Sequence, residues 1–144
     1  MTDENRGHFA KKHQPGAKAN PDIEVALRQR ASGGELPCAL AFKIASDLNV
    51  APKEVGRVAD LLEMRLTKCQ LGLFGYQPAK RIVQPADQVS EDLERAIRER
   101  LKDGRLPCTS AWSIANDLGL RKMEVSSACQ ALGIKISSCQ IGAF

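Results

Sequence analysis

The sequence contains few aromatic residues and only two histidines, His8 and His13. Its apolar residues are mostly Leu, Ile, Val and Ala, a composition typical of short packed helices. The sequence shows no Ser–His or Cys–His pairing, no phosphate-binding glycine loop and no clustered carboxylates. We therefore expect a mainly helical protein that is not an enzyme and needs no cofactor.

Long apolar runs are also missing. No stretch approaches the roughly 20 apolar residues that a membrane-spanning helix needs. Residues 1–6 lack the apolar segment of a secretory signal. These two absences lead us to expect a cytoplasmic protein without a membrane partner. The net charge of +4 is mild and evenly spread, so it permits a nucleic-acid partner without requiring one.

An internal repeat is the most informative feature that the sequence does contain. A shift of 70 positions places residues 21–74 on residues 91–144 without a gap, and 21 of the 54 aligned residues are identical. The identical stretches include Leu36-Pro37-Cys38 with Leu106-Pro107-Cys108, and Cys69-Gln70-x-Gly72-x-Phe74 with Cys139-Gln140-x-Gly142-x-Phe144. A repeat of this kind indicates one small duplicated module. At about 55 residues, each module needs its twin or a partner to bury enough apolar surface.

The repeat also sets the expected domain boundaries. Residues 1–19 are polar and without periodicity, so we predict a disordered tail there. Residues 20–76 and 90–144 are predicted to form the two repeats. The linker between them, residues 77–89, contains two prolines.

Each repeat carries three helical segments. The first helix begins after an N-cap residue, Asn20 or Ser90, and ends at Gly33-Gly34 or Asp103-Gly104. Leu-Pro-Cys then forms a short extended connection, because proline is excluded from a helix interior. The second helices are expected over 39–48 and 109–118, and the third over 52–63 and 122–132.

A change of period follows the third helix. Met64 and Leu66 alternate with polar residues, as do Ile134 and Ile136, which predicts a short terminal strand in each repeat. Twelve apolar residues at equivalent positions are expected in the core: Leu27, Leu36, Ile44, Leu48, Val55 and Leu62, with Ile97, Leu106, Ile114, Leu118, Val125 and Leu132. The paired aromatic residues are also expected there: Phe42 with Trp112, and Phe74 with Phe144.

The second and third segments resemble a helix-turn-helix motif. The small residue where the two helices cross is Ala45 in the first repeat and Ala115 in the second. The turn residue four positions later is Asn49 or Gly119, and only Asn49 departs from the family's glycine. The apolar positions of the motif hold Ile44, Leu48, Val50, Val55 and Val58, and in the second repeat Ile114, Leu118, Leu120, Val125 and Ala128. With a helix before and a strand after, residues 21–76 and 91–144 resemble winged helix-turn-helix domains.

This resemblance implies that the third helix enters the major groove of DNA. The candidate DNA-contacting residues are Lys53, Arg57, Arg121, Lys122, Ser126, Ser127 and Gln130. The positions expected to be exposed on this face also include Gly56 and Asp60. Asp60 would repel a phosphate, so we expect the second repeat to supply most base contacts. The resemblance thus implies a DNA-binding transcriptional regulator.

A second interpretation is a protein–protein adaptor, since the same scaffold also serves protein contacts and solvated helix faces carry the same residues. The repeated glutamines, Gln70 and Gln140, are open to either use: each could reach a minor-groove edge or a partner's backbone.

The repeated cysteines, Cys38 with Cys69 and Cys108 with Cys139, allow three interpretations. Buried reduced thiols, packing as small apolar residues, are the interpretation that we favour. Disulfides need an oxidising compartment or a redox-sensing role. A shared tetrahedral metal site is a further alternative, although the Cys-x-x-Cys spacing usual for zinc is absent. The last two alternatives would make the protein a thiol-based sensor or a metal-binding protein.

Overall fold

The computed structural model describes residues 9–13 and 19–144. Within these ranges the protein is mainly helical, as expected, with six α-helices, one short 3-10 helix and four short strands. The described chain forms two compact units, and each contains residues of both repeats. The first comprises the chain up to Cys69 together with Gln140–Phe144, and the second comprises Gln70–Cys139. The two units therefore divide inside the repeated Cys-Gln-x-Gly-x-Phe motif, directly after its cysteine.

The first unit contains, in order, a 3-10 helix Phe9–Lys12, α1 Pro21–Arg30, β1 Glu35–Pro37, α2 Cys38–Leu48, α3 Pro52–Leu61 and β2 Arg65–Thr67. The Asn20 side chain accepts hydrogen bonds from the backbone N–H groups of Asp22 and Ile23, which fixes the start of α1. Asn49, with φ 54° and ψ 47°, ends α2 in the left-handed conformation.

The second unit contains α4 Glu91–Glu99, β3 Leu106–Pro107, α5 Cys108–Leu118, α6 Lys122–Leu132 and β4 Ile136–Ser137. Ser90 caps α4 through the backbone N–H of Leu93, at 3.2 Å. Gly119 ends α5 with φ 66°, in the position that Asn49 occupies in the first unit. Both N-cap expectations and both turn expectations are therefore confirmed.

The strands pair in parallel within each unit. Leu36 lies opposite Leu66 in the pair β1–β2, and Leu106 lies opposite Ile136 in the pair β3–β4. The terminal strands fall where the alternating pattern predicted them. Their partner is the Leu-Pro segment before the second helix, so the chain leaving the third helix returns beside the chain entering the second.

The expected core is largely confirmed. Eight of its twelve residues have no solvent exposure: Leu27, Leu36, Ile44, Val55, Ile97, Leu106, Ile114 and Val125. Leu118 is 41% exposed, and Leu48, Leu62 and Leu132 are half-buried. All four lie at helix ends, where fewer neighbours surround a side chain. The expectation for the aromatic residues is also wrong: Phe144 is 42% exposed, and Phe42, Phe74 and Trp112 are half-buried.

The segment after each repeated cysteine packs on a third helix. In the second unit, the buried Ser126 hydroxyl of α6 donates to the Leu71 carbonyl at 2.6 Å. In the first unit, the buried Gly56 of α3 lies so close to the Ile141 carbonyl that a Cβ atom there would overlap it. Gly56 and Ser126 are equivalent in the repeat, as are Leu71 and Ile141, and Leu71 and Ile141 are each 1% exposed. The same contact therefore forms twice, and it explains why the units do not coincide with the repeats.

The predicted linker 77–89 belongs to the second unit. Val83 is buried, and the backbone N–H groups of Ile82 and Val83 both donate to the Gly72 carbonyl. Further along, the Ala86 N–H donates to the Ser127 carbonyl at 3.0 Å. Backbone hydrogen bonds therefore hold the linker at two places, Gly72 of the repeated motif and Ser127 of α6.

The predicted disordered tail is wrong for residues 9–13. Phe9 is 3% exposed in the first unit. The Glu63 carboxylate accepts the backbone N–H groups of Phe9 and Ala10 at 2.8 and 2.9 Å. His13 Nε2 lies 2.9 Å from Asp60 Oδ2. Residues 1–8 and 14–18, also part of the predicted tail, lie outside the described residues.

Replacing Ile44 or Ile114 by Ala should lower the free energy of unfolding by about 2–5 kcal/mol, because each leaves a cavity in a fully buried site. Leu118→Ala is the matched control at an exposed position and should cost less than about 1 kcal/mol. Urea unfolding of the three variants measures the difference. Equal losses at Ile114 and Leu118 would contradict the assigned core.

Gly56→Ala should release the Gln140–Phe144 segment, because the added methyl group overlaps the Ile141 carbonyl. Limited proteolysis followed by mass spectrometry should then cut within this segment faster than in the parent protein. Ser126→Ala, at the equivalent position of the second unit, removes a hydrogen bond to Leu71 and leaves Gly56 unchanged, so Gln140–Phe144 should stay protected. If the Gly56→Ala variant is digested at the same rate as the parent protein, the described contact is contradicted.

Candidate nucleic-acid interface

The start of α6 presents two cations at the surface of the second unit. Arg121 precedes the helix, and its side chain is 86% exposed. Its backbone N–H donates to Glu124 Oε2 at 2.7 Å, while its guanidinium group lies 3.8 Å from the other carboxylate oxygen. Lys122 places its Nζ 4.4 Å from the centre of the Trp112 ring. This cation–π contact holds the ammonium group above α5.

These cations border an open cavity of about 920 Å³ in the second unit. The cavity lies between the starts of α4 and α6, against the α5 side chain of Trp112. Its polar lining includes Gln70, Gln88, Ser90, Asn116 and Ser127. The Gln70 of the repeated motif therefore lines the same cavity as Arg121 and Lys122. Amide, hydroxyl and cationic groups on one open surface suit an anionic, hydrogen-bonding partner.

The remaining residues expected to contact bases on α6 are less accessible. Ser126 is 1% exposed, so the expectation of an exposed Ser126 is wrong. Its hydroxyl oxygen lies within hydrogen-bond distance of the carbonyl oxygens of Leu71 and Met123, at 2.6 and 3.1 Å. Ser127 and Gln130 are half-buried. Among the candidate DNA-contacting residues at α6, Arg121 is therefore the exposed one, and the others are half-buried or buried.

On α3 the corresponding face is largely covered. Gly56 and Asp60 were expected to be exposed and are both buried. Gly56 lies against the segment after Cys139, and Asp60 faces His13 of the N-terminal segment. Lys53 remains exposed and forms no ion pair within the described ranges.

Arg57 is held by Glu54 rather than projecting freely. Its Nε lies 3.1 Å from Glu54 Oε2, and its guanidinium group also reaches Oε1. The hydrogen bond from Arg57 lowers the pKa of Glu54, and the same bond raises the pKa of Arg57. A phosphate would have to compete with this carboxylate for Arg57.

Sequence reasoning missed the contribution of His13. Together with Lys53, Arg57, Asp60 and Ile141, His13 lines a cavity of about 570 Å³ in the first unit. A signal for it was available, because Gln-Pro occurs at residues 14–15 and again at 84–85, also 70 positions apart. This shared dipeptide is a sign that residues before 20 have counterparts in the chain before the second repeat.

An inter-helix ion pair also occurs twice. Arg30 contacts Asp47 at 2.7 Å, and the equivalent Arg100 contacts Asp117 at 2.9 Å. The hydrogen bond from Arg30 lowers the pKa of Asp47. These exposed pairs join the first and second helices, and they neutralise cations that would otherwise attract a polyanion.

The cysteines form no disulfide, and all five lie in the described residues. Cys38, Cys69, Cys108 and Cys129 are buried, and Cys139 is half-buried. Within the described part of the chain, no three His, Cys, Asp or Glu side chains form a group that could hold a metal ion. Burial raises the pKa of the Cys129 thiol to about 11.

The raised pKa predicts slow alkylation of Cys129. At pH 8 a thiol with a pKa near 11 is almost entirely protonated, and only the thiolate is nucleophilic. Iodoacetamide followed by peptide mass spectrometry should modify the half-buried Cys139 first and Cys129 much later. In urea the two rates should converge. Rapid labelling of Cys129 in the folded protein would contradict its burial.

Comparison with known proteins places this chain in no family. Searches of protein-family models, curated proteins and solved structures each gave no significant match. Among the described residues, no helix is both long enough and apolar enough to cross a membrane. The geometry of the two units is therefore the basis for inferring a function.

Proposed function

We propose that this protein binds duplex DNA as a helix-turn-helix regulator and contacts phosphates at the start of α6. The turn between α5 and α6 supports this proposal. Only three residues separate the two helices, and the first of them, Gly119, has the left-handed conformation. The pair α2–α3 has the same turn length, with Asn49 in the same conformation. Two helices joined in this way are the core of the helix-turn-helix motif.

The charges at this turn support a phosphate contact. Arg121 projects into solvent beside the N-terminal end of α6, where the helix dipole also favours an anion. Lys122 is held next to it by Trp112. The second unit offers this arrangement more openly than the first, where Arg57 is paired with Glu54 and α3 is covered. We therefore assign the main DNA contact to the second unit.

Sequence discrimination should be modest. Because Ser126 is buried, the base-contacting candidates on α6 reduce to Ser127 and Gln130, both half-buried. The strand pair is parallel and lies beside the second helix, so it differs from the β-hairpin of a full wing. We infer a reduced helix-turn-helix unit whose affinity comes largely from phosphates, which position the protein without specifying sequence.

The double variant Arg121→Ala/Lys122→Ala should bind duplex DNA more weakly than the parent. The salt slope, log K against log salt concentration, should fall by about 0.9 for each lost phosphate contact. Fluorescence anisotropy with a random-sequence duplex across a salt series measures both quantities. Lys68→Ala/Arg65→Ala removes the same charge from the first unit and is the matched control. If the Arg121→Ala/Lys122→Ala variant has the same salt slope as the parent protein, the start of α6 is excluded as the DNA contact.

A protein–protein adaptor is the second candidate, and one observation favours it. The third helix of each unit already holds a short turn-forming segment of chain, with Leu71 on α6 and Ile141 on α3. A surface that docks such segments within the chain has the shape and apolar character to dock a peptide of another protein. Absence of DNA binding even at low salt would favour this alternative.

A further inference from the structure

Three cations meet at the strand edge of the second unit, away from the start of α6. Lys102 and Arg105 face each other across a tight turn, where Lys102 N–H donates to the Arg105 carbonyl at 2.7 Å and Arg105 N–H donates back at 3.0 Å. Lys135 joins them because its carbonyl accepts the Leu106 N–H at 2.9 Å. All three side chains are exposed, and none forms an ion pair within the described residues. We call these residues the basic edge.

The backbone forces these like charges together. The parallel register pairs Leu106 with Ile136, so the preceding residues, Arg105 and Lys135, lie side by side. Like charges on neighbouring strands destabilise a sheet unless something neutralises them. The only acid in the turn is Asp103, which forms no ion pair within the described part of the chain. The fold thus maintains a local excess of positive charge.

The first unit shows that the fold does not require this charge. Its equivalents of Lys102, Arg105 and Lys135 are Ser32, Glu35 and Arg65. The same two strands pair there in the same register, with Glu35 opposite Arg65. A mixed pair therefore suffices for the architecture, and the basic edge is a property of the second unit alone.

The other cations on the helices of the second unit are largely occupied. Arg95, Arg98 and Arg100 each contact an acidic residue within 3.4 Å. Arg121 lies near Glu124, and Lys122 lies over Trp112. The basic edge consequently carries cations that no neighbour neutralises.

We propose that Lys102, Arg105 and Lys135 form a second phosphate-binding surface for the same duplex DNA. This inference rests on the proposed function and adds a second point of contact. Arg121 immediately precedes α6, and Lys135 follows its last residue, Leu132, by three positions. The 11-residue helix is about 16 Å long, whereas the major groove is about 12 Å wide. Cations at the two ends of α6 can therefore reach phosphates on opposite sides of one groove.

The test compares two charge-matched triple variants of the full chain. Lys102→Gln/Arg105→Gln/Lys135→Gln neutralises the basic edge. Lys68→Gln/Lys80→Gln/Arg81→Gln removes the same net charge from exposed cations elsewhere. Both sets lie on the surface. A thermal unfolding midpoint equal to that of the parent protein confirms that each variant keeps the fold. Binding is measured with a random-sequence duplex by anisotropy across a salt series.

The basic-edge variant should lower the salt slope by roughly 2.7, which is about 0.9 for each of three lost contacts, and the control should change it far less. Equal slopes for the two triple variants would mean that only net charge matters and would overturn the inference. A normal slope in the basic-edge variant, with a lowered slope in Arg121→Ala/Lys122→Ala, would also overturn it while leaving the proposed function intact. A lowered slope in the basic-edge variant, with a normal slope in Arg121→Ala/Lys122→Ala, would support the basic edge as a DNA contact and exclude the start of α6. No binding by the parent at low salt would overturn both.

Discussion

The docking of one short segment on the third helix determines how this chain is organised. After each repeated cysteine, an apolar residue, Leu71 or Ile141, becomes almost fully buried against the helix of the unit that it joins. A module of about 55 residues buries only enough apolar surface for marginal stability, so this added contact matters to both units. In the second unit the Ser126 hydroxyl hydrogen-bonds to the docked segment. In the first unit the docked segment comes so close to Gly56 that there is no room for a Cβ atom.

That contact has a direct effect on what the third helices can present. A helix that is exposed along one face can read bases, but α3 and α6 each share that face with a docked segment. The exposed cations at α6 therefore lie just outside its two ends, at Arg121 and Lys135. A partner recognised by charge at the two ends of a helix suits such a surface better than one recognised along its length. The phosphate backbone of DNA is a partner of that kind.

Local patterns in the sequence specified much of the fold. Asn20 and Ser90 marked helix starts, Asn49 and Gly119 marked turns, and the alternating residues near Leu66 and Ile136 marked strands. Each of these signals acts through the backbone of its own neighbourhood, so one sequence suffices to detect it. The gapless repeat supported each assignment twice.

The misassigned residues share a different cause. Ser126, Gly56 and Asp60 are polar or small residues on a helix face that the periodicity assigns to solvent. They are buried because distant parts of the chain cover them: Leu71, Ile141 and His13. Nothing in a helical pattern reveals a contact with a residue about 50 to 85 positions away. The repeated Gln-x-Gly-x-Phe motif was conspicuous, yet its partner surface could be found only in three dimensions.

The exchange of segments also orders events during synthesis. Domains generally fold as the chain emerges, the N-terminal one first. Here the first unit needs Gln140–Phe144, which the ribosome makes after every other residue described for both units. The second unit needs nothing beyond Cys139, so it can close before the first is complete. In a growing chain, α3 therefore stays uncovered at Gly56 until translation has passed residue 144, and the repeat that is made first is finished last.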